Sequence, residues 1–410
     1  MTVAARSGGG IRAALPLVTA GFVISFVLVG GGINTVSVFV NAIAATTDWS
    51  RSQLSLAVSV GALSAALVTP LVGAAVDRFG VRVPMTIGVV LLACGFSVLP
   101  VMHAAWQFVA ANVLLGAGFG ACALLPVTVA VTVCVQERTG LALGLVTAGS
   151  SLGALVFAPA AQMIIEVSGW RSTYVFLGGI IVLTPLPFLV FALPRGRLER
   201  PTNANAAAGG PTPALHELRR PGVAPLAAIM ILPGLASFSV AVHLVPYLTG
   251  IGHAASIAAA ALGATIGISA VGKIAGGYVA DRFGAIQTVR LTMTIWVVAF
   301  ALLHHASGAL ALWTFVPLYG LALGTQVAVV PAIALAVLGP ERFGTLFGLL
   351  QLGNMLASAV GPIVSGLIFD ASGQYGAAVL LWIGTMIIAT AIAWKMRSPM
   401  PLPPPAQAVA

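Results

Sequence analysis

The stretch Ile268–Gly284, ISAVGKIAGGYVADRFG, decides how the rest of the chain is understood. It is apolar over several helical turns, carries Lys273 in its interior and ends in the charged turn Asp281-Arg282-Phe283-Gly284. A cation inside an apolar membrane helix costs about 3 kcal/mol on insertion scales, so such residues are rare and mark functional sites by default. We therefore ask whether Lys273 has a charged partner and what it binds.

Composition excludes a soluble globular protein. The chain has 410 residues, of which 59% are hydrophobic and 7% are charged, whereas soluble domains contain about 25% charged residues. This composition is typical of a polytopic membrane protein. The sequence has no Ser/His/Asp spacing, no metal-ligand cluster and no phosphate loop, so we predict that it is not an enzyme and uses no cofactor or metal. Its net charge of +9 is explained below by the bilayer, and we expect no nucleic-acid partner.

Twelve apolar runs between residues 14 and 395 are each long enough to cross a hydrocarbon core of about 30 Å. The long polar interruption, residues 194–221, is rich in Pro, Gly, Ala and Arg and is predicted to be a flexible cytoplasmic linker. The sequence thus predicts an all-α membrane protein with six-helix bundles at 1–193 and 222–398 and a tail at 399–410. We expect a monomer.

The basic residues predict the orientation of the chain. With the N-terminus in the cytoplasm, the opposite side holds only Arg51 and Arg171, and fifteen basic residues fall on the cytoplasmic side. This bias predicts a multi-pass protein of the cytoplasmic (inner) membrane with both termini in the cytoplasm. The nine acidic residues fall in turns or at helix ends, so Lys273 is predicted to have no carboxylate partner at its own depth. The fifteen are Arg6, Arg12, Arg78, Arg82, Arg138, Arg195, Arg197, Arg200, Arg219, Arg220, Arg282, Arg290, Arg342, Lys395 and Arg397.

An internal repeat supports two related halves. A shift of 204 positions superposes Gly73, Asp77, Arg78 and Gly80 on Gly277, Asp281, Arg282 and Gly284, and it also carries Gly140 to Gly344. The same shift takes Lys273 back to Thr69. The two halves thus share their scaffold and their charged turns but differ at the lysine, where a binding site is expected to break the symmetry.

The loop Gly73-x-x-x-Asp77-Arg78-x-Gly80-x-Arg82 resembles the signature loop of the major facilitator superfamily, and Gly277–Gly284 resembles its second copy. The resemblance implies a twelve-helix fold with two pseudo-symmetric six-helix bundles that work by alternating access. In that superfamily the loop acts as a cytoplasmic latch of the outward-open state. The alternative is a role in topology and helix capping alone. The resemblance makes gate candidates of Gly73, Asp77, Arg78, Gly80, Arg82, Gly277, Asp281, Arg282 and Gly284.

Three features are similar to the monocarboxylate and oxalate/formate transporter branch. They are the cation four residues before Gly277, the segment His243-Leu-Val-Pro-Tyr247, and Tyr319-Gly320-x-x-x-Gly324. Animal monocarboxylate transporters have an arginine in span eight with an aspartate one turn earlier, where this chain has Lys273 and Ser269. The oxalate exchanger has a second cation in span eleven, where this chain has Gln351 and Asn354. We therefore expect a monoanion as substrate.

The predicted substrate-binding residues are polar side chains within the spans. Lys273 is the predicted carboxylate anchor, and its alternative is a structural cation that snorkels to the interface. Amides in spans can bind substrate or hydrogen-bond between helices. An i, i+4 pair in span seven can line the pathway or gate it, and an aromatic in span ten can form a wall of the site or pack in the core. These further candidates are Asn34, Gln326, Gln351, Asn354, His243, Tyr247 and Tyr319.

These observations favour a secondary transporter of small organic monoanions such as lactate or pyruvate. Coupling by proton symport and by anion exchange both stay open, and a symporter would use Lys273, His243 or the substrate itself to carry the proton. One alternative is a drug or organic-cation exporter, which the lack of a carboxylate at membrane depth disfavours. The other is a membrane receptor or scaffold that transports nothing.

Overall fold

The computed structural model describes residues 14–49, 51–135, 137–194, 196, 219–340 and 342–396, and within these ranges the chain is helical with short turns. Most of the predicted linker 194–221 and all of the tail 399–410 lie outside the described residues. The membrane helices are α1 (Leu15–Thr46), α2 (Arg51–Phe79), α3 (Arg82–Val101), α4 (Ala105–Cys134), α5 and α6 within Thr139–Phe191, α7 (Val223–Gly250), α8 (Ala255–Phe283), α9 (Ala285–His304), α10 (Ala309–Leu338), α11 (Phe343–Ser372) and α12 (Gly376–Lys395).

The described ranges contain eleven continuous helical stretches that are long and apolar enough to span a membrane, and one of them is 53 residues long. At 1.5 Å per residue that stretch would measure about 80 Å, far more than one bilayer. Gly169, with φ 77° and ψ 162°, breaks it into two spans. We number these α5 (139–168) and α6 (170–191), which gives the predicted twelve spans.

Helix α1 packs closely on α5 through glycines. Its central section, Ser25–Ile33, winds in wide π-type turns, which are frequent at functional sites. A Cβ on Gly153 or Gly30 would collide with the backbone of the other helix, and one on Gly149 would collide with the carbonyl of Phe22. Small residues allow this approach, and the contact brings Asn34, at the end of the wide turns, beside α5.

The two halves repeat their backbone geometry at the offset of 204 residues found in the sequence. In the described ranges, the non-glycine residues with positive φ are Arg138 (55°) and Arg342 (56°), which precede α5 and α11. Their left-handed conformation is uncommon outside glycine, and its recurrence at related positions confirms the duplication. Gly80 and Gly284, and also Gly169 and Gly373, form further pairs of positive φ at the same offset.

The two bundles meet along α5 with α8 and along α2 with α11. Close glycine contacts mark both interfaces: Gly140 touches Gly277, and Gly73 touches Gly344. Deeper in the membrane, Gly144 touches the backbone of Lys273. We call the membrane face at which Asp77 and Asp281 lie the signature face, and the other one the opposite face. The bundles are in contact at the signature face.

Candidate functional site

Lys273 lies in the second half of α8, ten residues before its end, and its side chain reaches across to the other bundle. Its side chain is 6% exposed. The ammonium donates hydrogen bonds to the Thr147 carbonyl (3.1 Å), to Ser150 Oγ (2.8 Å) and to Ser151 Oγ (2.8 Å), all on α5. These acceptors are neutral. In the described part of the chain the buried positive charge therefore has hydrogen-bond partners but no carboxylate partner.

The direction of the side chain argues against snorkelling. A helical side chain leans toward the N-terminus of its own helix, and α8 begins at the opposite face. Thr147 and Ser151 are the eighth and twelfth residues after Thr139, which places them about 12 to 18 Å along α5 from the signature face. The ammonium thus points into the membrane rather than toward the nearer interface.

Hydroxyl groups extend from the lysine in two directions. Because an ammonium only donates, Ser150 and Ser151 accept hydrogen bonds from it. Their own hydroxyl groups donate to further acceptors. Ser150 donates to the Thr147 carbonyl at 2.8 Å, and Ser151 lies 3.1 Å from Ser269 Oγ. Ser269 in turn donates to the Ile266 carbonyl at 2.7 Å, so Ser151 is the donor in their contact.

Asn34 is the predicted ligand that the structure brings close to Lys273. It is exposed, and its Nδ2 donates to the Ser150 carbonyl at 3.3 Å. Lys273, the Ser150-Ser151 pair and Asn34 therefore join α8, α5 and α1 in one polar cluster, which we call the lysine cluster. Its pairing of a buried cation with an exposed amide is suited to binding a small anion.

Asp77 and Asp281 connect the bundles at the signature face. The carboxylate of Asp281 accepts from the backbone N–H groups of Gly140 (2.7 Å) and Leu141 (2.8 Å), at the start of α5. The carboxylate of Asp77 accepts from the N–H groups of Gly344 (2.8 Å) and Thr345 (2.6 Å), at the start of α11, and also from Thr345 Oγ1 (2.6 Å). A carboxylate at a helix N-terminus satisfies free N–H groups and complements the helix dipole. We call these contacts the aspartate latches.

The arginines that precede α5 and α11 were not among the predicted gate residues. The positive charge of Arg138 lies near the Asp281 carboxylate, and that of Arg342 lies near the Asp77 carboxylate. Their relation by 204 residues was visible in the sequence, but their proximity to the aspartates depends on how the helices dock.

The other predicted gate residues lie in close helix contacts, in turns or at helix ends. Gly73 and Gly277 form the close contacts already described, and Gly80 and Gly284 supply the positive φ of the turns after α2 and α8. Arg78 and Arg282 are exposed, with their guanidinium groups over the rings of the following residues, Phe79 and Phe283, at 5.0 and 5.8 Å.

Arg82, the ninth predicted gate residue, binds inside the N-terminal bundle. It donates to the carbonyls of Val190, Leu193 and Pro194, at the end of α6, at 2.6 to 3.2 Å. Arg290 does the same in the second half, donating to the carbonyls of Ala393 and Met396 at 3.1 and 2.6 Å. Arg290 stands 208 residues after Arg82, one turn away from the offset of the repeat, so a search at a fixed offset does not find this pair.

Four predicted ligands hydrogen-bond to backbone carbonyls within the C-terminal bundle. Tyr319 donates to Ser237 (3.3 Å), Tyr247 to Leu303 (2.8 Å), Gln326 to Ile229 (2.7 Å) and His243 through Nε2 to Pro362 (2.9 Å). His243 Nδ1 lies 3.1 Å from the Tyr375 hydroxyl, which links α7 to the start of α12. The structure does not bring these four side chains to the lysine cluster.

Gln351 and Asn354 lie half-buried on α11, the helix that meets α2 across the bundle interface. Asn354 packs against Gly234 of α7, and the next residue, Met355, lies 3.8 Å from Thr69 Oγ1 across the bundle interface. At the offset of 204, Gln351, Asn354 and Met355 correspond to Thr147, Ser150 and Ser151, and Thr69 corresponds to Lys273. The structure therefore has a neutral counterpart of the lysine cluster at the second interface.

Sequence comparison relates the chain to known proteins of one family. The family model described as Major Facilitator Superfamily matches residues 22–323 and 252–410. The chain is 27% identical over 349 residues to an uncharacterised MFS-type transporter of Bacillus subtilis, YcxA, covering 79% of this chain and 81% of that protein. It is 28% identical over 369 residues to human monocarboxylate transporter 11, covering 84% and 73%.

Among solved structures, the fold is similar to that of FucP, a Major Facilitator Superfamily transporter crystallised in the outward conformation. The TM-score is 0.73 at 18% sequence identity, and the match covers 92% of this chain and 97% of that one.

Proposed function

Because the chain belongs to the major facilitator superfamily, we propose that it carries a small organic monoanion, such as lactate or pyruvate, across the membrane by alternating access between its two bundles. Membership makes it a multi-pass membrane transporter rather than an enzyme. The choice of an anion rests on one observation: the buried ammonium of Lys273, at the bundle interface, has only neutral partners in the described part of the chain.

A carboxylate is the natural ligand for such a group. A buried charge without a counter-charge is costly, and an anion that enters the site compensates it. Asn34 and Ser150 offer hydrogen-bonding groups within the same cluster, and Gln351 and Asn354 on α11 are proposed to receive a hydroxyl or keto oxygen of the substrate. The similarity to human monocarboxylate transporter 11 supports the same substrate class.

The substrate is proposed to carry one negative charge. The position that corresponds to Lys273 in the first half is the neutral Thr69. A dicarboxylate in this site would leave one buried charge without a partner, which costs several kcal/mol. A monoanion leaves none.

We also propose that the signature face is cytoplasmic. Fifteen of the eighteen basic residues fall on that side when the twelve spans are threaded through the membrane, and the positive-inside rule assigns it to the cytoplasm. With both termini on this side, the protein lies in the cytoplasmic membrane with residues 1–193 and 222–398 as its bundles and 194–221 as the cytoplasmic linker between them. Contact between the bundles at this face then corresponds to a carrier that is open or occluded toward the outside.

Purified protein in liposomes tests the proposal. Uptake of labelled lactate, pyruvate, formate, oxalate and succinate is compared with uptake of a lipophilic organic cation, under proton gradients of both directions. We expect saturable uptake of one or more monoanions. Saturable uptake of the cation alone would favour an exporter of organic cations, and no uptake of any solute would favour a receptor or scaffold.

A further inference from the structure

Every N–H group of the Lys273 ammonium is already engaged in a hydrogen bond. A lysine ammonium carries three N–H groups, and the three acceptors on α5 take all of them. An anion can reach the charge only when at least one of these partners gives way. Ser150 and Ser151 therefore occupy the position on the lysine that a carboxylate would take.

These partners belong to the opposite bundle. Lys273 is on α8 of the C-terminal bundle, and Ser150 and Ser151 are on α5 of the N-terminal bundle, beside the close contact of Gly144 with the lysine backbone. Opening of the signature face separates α8 from α5, so an empty carrier that begins to open there takes these acceptors away from the ammonium while the two bundles still enclose it. That state is unfavourable because a buried charge needs partners.

A bound anion removes this obstacle, because it replaces the serines as partner of the lysine and can travel with it. We infer that Ser150 and Ser151 are positioning residues that hold the empty carrier closed at the signature face, and that the protein consequently exchanges one anion for another instead of returning empty. This inference rests on the proposed function for the identity of the ligand. The hold of the serines on Lys273 does not depend on which anion is carried.

The second interface shows why only one side has this property. There the corresponding contact is between Thr69 Oγ1 and Met355 Sδ, at 3.8 Å. Both groups are neutral, so separating them leaves no buried charge. The aspartate latches are present at both interfaces and do not distinguish them.

The first experiment follows the bundles directly and uses no substrate. Spin labels are placed at Val83→Cys and Gln287→Cys, exposed positions related by 204 residues at the starts of α3 and α9, in a background with Cys94, Cys122 and Cys134 replaced. Distances between the labels are measured by pulsed electron paramagnetic resonance in liposomes. Wild type should give one short distance, and Ser150→Ala with Ser151→Ala should raise the population of a longer distance about tenfold.

Two further variants make this result specific. Ser64→Ala removes a hydroxyl that bonds to the Val113 carbonyl inside one bundle and should leave the distances unchanged. Lys273→Met removes the charge itself and should also populate the longer distance, which keeps the inference testable if the double serine variant does not insert. Unchanged distances in both the double serine variant and Lys273→Met would overturn the inference.

The second experiment compares transport modes in liposomes with a transported monoanion. In wild type, exchange of external for internal anion should exceed net uptake into anion-free liposomes by about tenfold or more, and Ser150→Ala with Ser151→Ala should narrow that ratio to about threefold or less. Equal rates of exchange and net uptake in wild type would overturn the inference and leave the proposed function intact. If no anion is transported in either mode, the proposed function fails, and the distance measurements still test the hold on Lys273.

Discussion

The two bundle interfaces are built on one plan and differ at their centres. At the signature face, each interface contains an aspartate that accepts hydrogen bonds from the first N–H groups of the helix on the other side. Asp281 accepts from Gly140 and Leu141, and Asp77 accepts from Gly344 and Thr345. About two turns deeper, the α5–α8 interface contains the lysine cluster, and the α2–α11 interface contains Thr69 with Met355. The repeated residues form the scaffold, and the substrate-binding role that we propose falls on residues that are not repeated.

Removing the charge from the lysine cluster tests this distinction most strongly. Lys273→Gln should lower the kcat/KM of anion uptake about a hundredfold or more, because the loss of a buried ionic partner costs about 3 to 5 kcal/mol. The matched control is Lys395→Gln, since the chain has only these two lysines and Lys395 lies exposed at the end of α12. Normal uptake by Lys273→Gln would show that Lys273 does not bind the substrate.

Packing at the two interfaces gives the next contrast. A Cβ at Gly144 would collide with the Lys273 carbonyl, whereas a Cβ at the corresponding Gly348 would lie 3.0 Å from the Thr69 carbonyl oxygen and 3.2 Å from Pro70 Cα. Gly144→Ala should therefore slow transport about thirtyfold, by displacing α5 from α8, and Gly348→Ala only about threefold. Initial uptake rates, normalised to the amount of inserted protein, measure both. Equal effects would mean that the two interfaces tolerate separation alike.

The aspartate latches allow a finer comparison. Among the described residues, Asp77 accepts from Thr345 Oγ1 in addition to two backbone N–H groups, whereas Asp281 accepts from two backbone N–H groups. Asn at either position keeps the shape and loses the charge that complements the helix N-terminus, a loss of about 1 to 2 kcal/mol. We expect Asp77→Asn to raise the open population at the signature face more than Asp281→Asn does, by about threefold. The spin-label distances between positions 83 and 287 measure it, and the reverse order would contradict the role of Thr345.

Much of this arrangement follows from sequence. Twelve apolar runs, one offset of 204 residues and the charged turns predict the two bundles and place both aspartates at one face. The partners of Lys273 could not be predicted, because Ser150 and Ser151 are 123 and 122 residues away from it. Periodicity indicates which face of a helix is polar but not which helix that face meets.

For the same reason, the sequence did not show which of the predicted ligands lie near Lys273. Asn34 joins the lysine cluster, whereas Tyr319, Tyr247, His243 and Gln326 hydrogen-bond to carbonyls of their own bundle. Polar groups in a membrane span need partners wherever they lie, so polarity alone does not separate a ligand from a residue that binds two helices together.

A final test of the contrast builds the missing charge into the second interface. In wild type, lactate or pyruvate should compete about tenfold better than oxalate or succinate, a difference of about 1.4 kcal/mol. Thr69→Lys with Met355→Ser copies Lys273 and Ser151 onto their counterparts, which lie in contact across α2 and α11. A second cation compensates the second carboxylate, so the preference should fall to about twofold or less, as measured by competition against a labelled monoanion in liposomes at neutral pH.

Met355→Ser alone is the control and should keep the wild-type preference. If wild type already prefers the dicarboxylates, a second cation reaches the site from elsewhere, and the contrast between the two interfaces would not determine the charge of the substrate.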